Sequence, residues 1–359
     1  MSRPTYVEID LEALQYNLTR IRKLAPTAKV TAMIKANAYG HGLSRVAQAL
    51  IEADAFGVAG LEEASAVRRA GLQNPIILMA GFFSSQEFEV IEALQCELVI
   101  HCKEQITVLQ QRSFKKPIKI WIKINTGMNR LGFRPEEVGA VYEALSHLAF
   151  LQKPFGFMTH FSDADCSENH KTERQIELFE TATGGFLGER SLANSAGILN
   201  FPQAHADWVR PGLLLYGASP IAGKLGRDFN LKPVMTLRSQ LIAKREQNPQ
   251  ETVGYGSTWQ CKKLTPVGIA AIGYGDGYPY RFKTETPIPV LVGGQLCSVL
   301  GRVAMDMVAI DLSANPYAQV GDEVILWGSQ LPVELIAKAA GTIPYKLLCG
   351  IAPRVHGAE

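Results

Sequence analysis

The sequence predicts a closed (β/α)8 barrel followed by a mostly antiparallel β domain. Three observations carry that reading. Over the first two-thirds of the chain, short apolar runs alternate with amphipathic helical patterns, as in a parallel sheet. About eight such runs fall within roughly 220 residues, which suits a closed barrel better than an open sheet. From about residue 228 strong helical patterns drop out, and short strand-like runs follow one another between turn residues. No GxGxxG or GxxxxGK[ST] is present to point to a nucleotide fold.

Taken in order, Leu11, Leu14, Leu18, Ile21 and Leu24 recur at spacings of three and four, so 11–24 reads as a helix with Asp10 as its N-cap. KVTAMIK (29–35) reads as the first buried strand. A polar, Gly-bearing turn follows, then a second helix carrying Leu43, Val46, Ala47, Leu50 and Ile51. Further strands are expected at 56–59, 75–79, 97–100, 117–124, 154–159, 190–195 and 211–216 (PGLLLY), with helical patterns at 86–94, 136–145 and 173–180. The later runs are VMTLRSQLIAK, VGIAAIG, IPVLVGG, MVAIDL and EVILWG, followed by one helix at about 331–340. The boundary falls in the Gly-bearing stretch IAGKLGRDFN, giving a barrel over 1–225 and a β domain over 226–359.

Composition narrows the function. The chain of 359 residues has Lys+Arg 36 against Asp+Glu 34, a formal net charge of +2, with no long block of one sign. That argues against nucleic acid or an anionic membrane as the main partner. Hydrophobic residues at 47% and charged residues at 19% describe a globular chain with a large core. The start, MSRPTYVEIDLEAL, lacks a charged segment followed by a long apolar stretch, and no apolar run is long enough to span a membrane. A cytoplasmic protein is expected. The six cysteines are scattered without a CxxC pair and read as buried free thiols; His and Cys never cluster at zinc-ligand spacing.

In a barrel the catalytic groups stand where strands end at the C-terminal face. The first strand ends in Lys35. A lysine closing an apolar strand is partly desolvated, which lowers its pKa toward the nucleophilic amine. The strand at 117–124 ends near Lys123 and Asn125, followed by Arg130 in a Gly-flanked turn. The sixth ends in Thr159-His160-Phe161. The seventh ends in Asn194-Ser195-Ala196-Gly197, a small turn able to offer backbone N–H groups to a phosphate. Arg210 precedes Pro211-Gly212 beside the eighth. Singly, each has an ordinary reading: Lys35 a snorkelling strand end, Arg130 a surface ion pair, His160 a core histidine, Ser195 a turn residue. Together they place an amine, two guanidiniums, an imidazole and an anion-binding turn at one mouth. That set suits a phosphorylated, aromatic, carbonyl-bearing cofactor, with pyridoxal phosphate the obvious candidate.

The segments MIKANAYGHG (33–42), WIKINTGMNRLGF (121–133), MTHFSDAD (158–165), ANSAG (193–197), VRPGLLLYG (209–217), VGYGSTW (253–259), IGYGDGY (272–278) and GRVAMDM (301–307) resemble, in order, the signature segments of the alanine racemases. The resemblance implies a homodimer that binds pyridoxal 5′-phosphate and interconverts L- and D-alanine, supplying D-alanine for peptidoglycan. Proton transfer would take place on a cofactor aldimine, and the β domain of one subunit would complete the other's site. It implies Lys35 as the Schiff-base lysine and Tyr255 as the second base, delivered across the interface. Tyr39, Ser195 and Tyr345, with the backbone amides of Gly212 and Leu213, would bind the phosphate. His160 would lie against the pyridine ring and Arg210 would meet its nitrogen. Arg130 would sit near the cofactor phenolate and the substrate carboxylate, and the Met305 amide would also meet that carboxylate. Tyr274 would belong to the substrate gate. Lys123 matches a lysine that many members carbamylate.

The chemistry of those roles is coherent. Racemisation needs proton exchange at both faces of a planar carbon, and two bases on opposite faces provide it. A free tyrosine has a pKa of ~10, so Tyr255 needs the hydrogen bonding and charge of a chain through His160 and Arg210. A guanidinium does not readily protonate the pyridine nitrogen. The ring is then a weaker electron sink, which favours fast reprotonation.

Three positions depart from the family pattern: Asn125 where Asp is common, Ala304 before Met-Asp, and one extra residue in YPYR (278–281), which leaves Arg281 without a role. Other readings stay open at this level. A decarboxylase of the same barrel class would put an acid where Arg210 stands. A cofactor-binding homeostasis protein would lack the β domain. A racemase of serine or another small amino acid has the same motifs.

Overall fold

The computed structural model describes residues 3–112, 114–166, 168, 170–280 and 288–357. A strand absent from the sequence reading comes first: β1 (Tyr6–Ile9). The helix Leu11–Leu24 follows, its first turn capped by the Asp10 carboxylate, which accepts from the Ala13 amide at 2.8 Å.

Then come the parallel strands β2 (Lys29–Met33), β3 (Ala55–Val58), β4 (Ile76–Leu78), β5 (Cys96–Ile100), β6 (Ile120–Lys123), β7 (Gly156–Met158), β8 (Arg190–Asn194) and β9 (Trp208–Arg210). They close into a barrel when β9 pairs with β2, Lys29 opposite Trp208 and Val30 opposite Val209. The eighth barrel strand is therefore Trp208–Arg210, not 211–216. PGLLLY forms turns beyond it, with Leu213, Leu214 and Leu215 fully buried. A short apolar run marks burial, not conformation. Arg210 consequently lies in the strand and points its head into the barrel.

At the N-terminal end, Trp121 and Trp208 meet edge to face with ring centroids 5.9 Å apart. Gly156 makes room for them: a Cβ there would fall 2.4 Å from the Trp121 ring. The amines of Lys29 and Lys119 lie over these indoles and both pair with Glu189, at 2.8 and 2.7 Å. Glu97 accepts from the Trp121 indole at 2.7 Å.

The second domain comprises β10 (Met235–Gln247), the small pair β11 (Thr252–Val253) and β12 (Trp259–Gln260), β13 (Thr265–Ala270), β14 (Ile288–Val292), β15 (Gln295–Leu300), β16 (Val308–Asp311), β17 (Glu323–Trp327) and β18 (His356–Gly357). The long β10 pairs with β17 through its first half and with β13 through its second. The order β13-β16-β15-β14-β17-β10 thus returns to β13, and these pairings are antiparallel. β1 flanks β10, with Tyr6 opposite Arg238 and Ile9 opposite Met235, and β18 runs parallel beside β1. β15 was also missing from the sequence reading. It leaves β14 through Gly293-Gly294, both at positive φ, as a tight hairpin turn requires. Of the cysteines, Cys96, Cys261 and Cys297 are buried thiols as expected; Cys166 and Cys349 are exposed and Cys102 is intermediate.

Candidate active site

Lys35 follows β2 at the C-terminal mouth of the barrel. The next residues, Ala36, Asn37, Ala38 and Tyr39, all have φ between 52° and 54°, a left-handed turn built without glycine. Such a conformation costs about 1–2 kcal/mol per residue, so its surroundings must impose it. Glu63 accepts from the Ala36 amide at 2.6 Å, and the Asn37 side chain accepts from the Leu43 amide at 2.8 Å. The ring of fully buried His41 sets Nδ1 3.0 and 2.9 Å from the Ala38 and Tyr39 carbonyls, which assigns the proton to that nitrogen. Burial holds His41 at about 4, so it is neutral. His41 stacks on Tyr216, which stacks on Tyr39. The Tyr216 hydroxyl donates to the Met33 carbonyl at 2.9 Å.

Around Lys35 the strand ends deliver positive charge. Burial, then Arg130, lower the Lys35 amine; Glu63 and Cys349 pull the other way, and Arg210 lowers it further. Lys123 closes β6 and is 7% exposed. Burial, followed by Arg210, Arg130 and Lys35, brings its pKa down to about 8. Buried Arg210 donates to neutral groups, the Ser191 hydroxyl at 2.6 Å and the Leu192 carbonyl at 3.1 Å, and burial lowers it to about 10. His160 is held well below its ordinary value by burial and the same cations, so its imidazole is neutral. The Gln175 amide pins the His160 carbonyl at 3.1 Å.

Asn125 organises the turn that carries the exposed Arg130. Its carboxamide oxygen accepts from the Gly127 and Asn129 amides at 3.2 and 2.9 Å, and its NH₂ donates to the Asn129 side chain at 3.1 Å. A carboxylate could make only the first two of these contacts.

Beside this group lies a cradle of hydroxyls and amides. The Ser195 hydroxyl accepts from the Gly212 amide at 2.9 Å and the Leu214 amide at 3.5 Å. Among the described residues nothing accepts from the Leu213 amide. The Tyr39 hydroxyl stands so close that a Cβ on Gly212 would fall 2.4 Å from it. Burial pushes the Tyr39 phenol well up, so it stays a hydroxyl donor. Tyr345, on the helix Pro344–Cys349, sets its ring 5.8 Å from that of Tyr39; burial raises it to about 12.

The remaining residues form a second group on the β domain. Tyr255 is 69% exposed, on a short turn between Gly254 and Gly256, both at positive φ. Tyr274 is 39% exposed and Met305 53%. The Tyr274 amide donates to the Ala304 carbonyl at 3.0 Å and the Gly275 amide to the Met305 carbonyl at 2.9 Å. With both carbonyls turned inward, the Met305 amide is directed away from the 273–276 turn. Asp276, fully buried, locks the arrangement by pairing with Arg3 and Arg354, each at 2.8 Å, while Arg354 also holds Asp306 at 2.8 Å. Arg281 lies outside the described residues.

One chain therefore brings together Lys35, Lys123, Arg130, His160 and Arg210, with Tyr39, Ser195, Gly212, Leu213 and Tyr345 beside them. Among the described residues no hydrogen bond or ion pair joins Tyr255, Tyr274 or Met305 to that set. Sequence reasoning missed Glu63, His41 and Asp276. Each is a common residue type on a turn or a helix, and only the fold shows what it holds. An acid in the first turn of the helix after the second barrel strand was the one available signal for Glu63.

Residues 9–220 match the family described as "Alanine racemase, N-terminal domain", and residues 234–358 the one described as "Alanine racemase, C-terminal domain". The chain belongs to the alanine racemase family. An alanine racemase of Coxiella burnetii (strain RSA 331 / Henzerling II) is 47% identical over 366 residues, covering 100% of this chain and 99% of the relative. That of Vibrio parahaemolyticus serotype O3:K6 is 47% identical over 348 residues, 97% of each chain. Among solved structures, the biosynthetic alanine racemase from Pseudomonas aeruginosa superposes with a TM-score of 0.96 at 40% identity, covering 99% of both chains. The alanine racemase from Acinetobacter baumannii gives 0.91 at 40% identity, with 99% and 100% covered. Both racemase domains and the barrel-plus-β architecture are thus present. Among the described residues no helix is long and apolar enough to cross a membrane.

Proposed function

We propose that the chain interconverts L-alanine and D-alanine with pyridoxal 5′-phosphate bound to Lys35, as a cytoplasmic homodimer that supplies D-alanine for peptidoglycan. The observation that carries the reading is the mouth of the barrel, where a lowered lysine amine stands beside a hydroxyl-and-amide cradle under buried positive charge. The cradle suits a phosphate. Gly212, lacking a Cβ, lets the Tyr39 hydroxyl approach its backbone, the Leu213 amide has no acceptor among the described residues, and Tyr39 and Ser195 offer hydroxyls. Tyr345, its ring 5.8 Å from that of Tyr39, offers a third hydroxyl. When bound, the cofactor supplies an electron-withdrawing ring that makes the α-proton of an amino acid acidic.

The rest is the work of this chain's side chains. Arg210, held by hydroxyl and carbonyl groups, offers the pyridine nitrogen a hydrogen bond without readily giving up its proton, so the sink stays weak. Neutral His160 would lie against the ring. Exposed Arg130 reaches for the substrate carboxylate, and Met305 offers the same group its amide from the partner. Lys35 Nζ holds the proton for one face of the α-carbon. Tyr255 Oη of the other subunit holds it for the opposite face, which accords with its exposure here. Tyr274 stands in the loop that gates the substrate. We also propose the division into a cofactor-binding barrel, 1–225, and a completing β domain, 226–359. β1 crosses that division by pairing with β10, and the helix Pro344–Cys349 crosses it the other way by setting Tyr345 beside Tyr39.

The test is an absorbance spectrum of the purified protein with D/L interconversion assays over alanine, serine and larger amino acids. Borohydride reduction and peptide mapping should mark Lys35. Label on Lys123 or Lys119 refutes the site. Mixing Lys35→Ala and Tyr255→Phe subunits should restore activity in hybrid dimers, and failure to do so, or an active monomer, refutes the shared site.

A further inference from the structure

Glu63 is an acid in the first turn of the helix Leu61–Arg69. An acid there ordinarily serves its own helix, reaching back to the cap amide or complementing the helix dipole. The cap residue here is Gly60, yet neither oxygen of Glu63 goes to it. Oε2 accepts from the Ala59 amide at 2.7 Å, just past β3, and Oε1 leaves the helix to accept from the Ala36 amide at 2.6 Å. That second amide belongs to the peptide bond following Lys35 and opens the left-handed turn 36–39. The carboxylate thus ties the ends of two neighbouring barrel strands where the lysine emerges.

We propose that Glu63 is the positioning residue of Lys35, anchoring the lysine's peptide and serving as its counter-charge. The groups facing Lys35 from other elements are Arg130, Lys123, Arg210, His160 and the Cys349 thiol. Three are fixed cations or a lysine, His160 is neutral, and the thiol, on a residue exposed overall, is raised by partial desolvation. Among the described residues Glu63 is the carboxylate whose charge acts most on the amine. The phenol of Tyr216 also feels it, and stays protonated. The proposal rests on the cofactor reading above for its consequence, not for its geometry.

The experiment is a pH titration of the visible band of the loaded full-length protein, comparing wild type, Glu63→Gln, Glu63→Asp and Glu62→Gln. Removing the charge should lower the titration midpoint by about one pH unit, within the range an adjacent opposite charge produces. Glu62→Gln, one residue away on the same turn, should leave it in place. An unshifted Glu63→Gln midpoint, or an equal shift from Glu62→Gln, overturns the proposal. Glu63→Asp keeps the charge and loses reach. It should titrate within a few tenths of a unit of wild type while capturing cofactor at least about threefold more slowly, and a wild-type capture rate overturns the anchoring. Glu63→Asp also keeps the question open to test if Glu63→Gln does not fold. If the wild type shows no band, the cofactor reading fails by itself. Glu63 is then tested by the pH dependence of Lys35 acylation in the full chain, mapped by mass spectrometry: Glu63→Gln should acylate at lower pH, and an unchanged profile overturns the proposal.

Discussion

The two ends of the barrel hold similar cations in opposite settings. At the N-terminal end Lys29 and Lys119 share Glu189 and lie over indole faces, and Lys119 also sits near Glu97. At the C-terminal end Lys35, Lys123, Arg130 and Arg210 converge, Arg210 is held by neutral groups, and Glu63 spends both oxygens on backbone amides. The first end is neutralised internally and works as a plug. The second gathers more positive charge than Glu63 alone balances, which suits an anionic ligand. The same scaffold thus separates a stabilising pole from a binding pole, and the sign of the unpaired charge tells them apart.

The contrast should break most severely at Lys35. Lys35→Ala should lower racemisation by at least about 10⁴-fold, the upper end of what one acid/base group supplies, while the melting temperature hardly moves. Calorimetry beside a racemisation assay reads both. Next in size is Tyr255→Phe, which should cost about 10²–10⁴-fold on one face only. Deuterium exchange followed by NMR should show loss of α-proton exchange from L-alanine and retention from D-alanine. Equal slowing of both would remove Tyr255 from its role.

Arg210→Glu would give the binding pole an acid of the kind the plug already has. A carboxylic acid there can protonate the pyridine nitrogen, so pyruvate from slow transamination should appear as racemisation falls. Lys123 sharpens the comparison chemically. At about 8, its amine is substantially neutral near pH 8, and neutral amines add carbon dioxide. A carbamate would turn a buried cation into an acceptor for Arg130. Growth or incubation with ¹³C-bicarbonate should give a carbamate signal lost in Lys123→Met, and an unmodified ammonium without a bound anion would contradict it.

The smallest effect belongs to the plug. Burial works against the Glu189 charge, yet hydrogen bonds from Lys119 and Lys29 draw it down to about 2. A carboxyl lowered on folding contributes stability above its unfolded value of about 4.3, and that contribution fades as pH falls toward 2. Glu189 keeps 32% of its side chain exposed, so screening leaves about 1–2 kcal/mol. Glu189→Gln should lose that much at pH 7 by denaturant titration, with the gap to wild type closing in acid and racemisation unchanged.

Legibility divides along the same lines. The alternation of apolar runs and helices was enough for the barrel, because buried parallel strands are nearly continuous apolar segments. It misplaced the eighth strand since PGLLLY is as apolar as a strand while forming turns. Lys35, Lys123 and His160 were readable because a polar residue closing such a run has one place to go, the mouth. Arg130 and Ser195 were readable from the small turns that follow their strands, and Tyr39 came with its motif. Glu63 and Asp276 were not readable: their partners, Ala36, Arg3 and Arg354, are remote in sequence and, for Ala36, are backbone. Tyr255 was readable by resemblance alone, since it stands largely exposed on a turn of the β domain and closes no barrel strand.

β1 has a consequence in time. It leaves the ribosome ahead of the whole barrel, yet its partner β10 begins at Met235. At bacterial synthesis rates the wait is about ten to fifty seconds. For that interval Val7 and Ile9 form an unclaimed apolar edge while eight barrel strands assemble behind them. A nascent chain stalled after the barrel would carry that edge exposed, a natural handle for a ribosome-associated chaperone. A barrel expressed alone should gain solubility once residues 1–9 are removed.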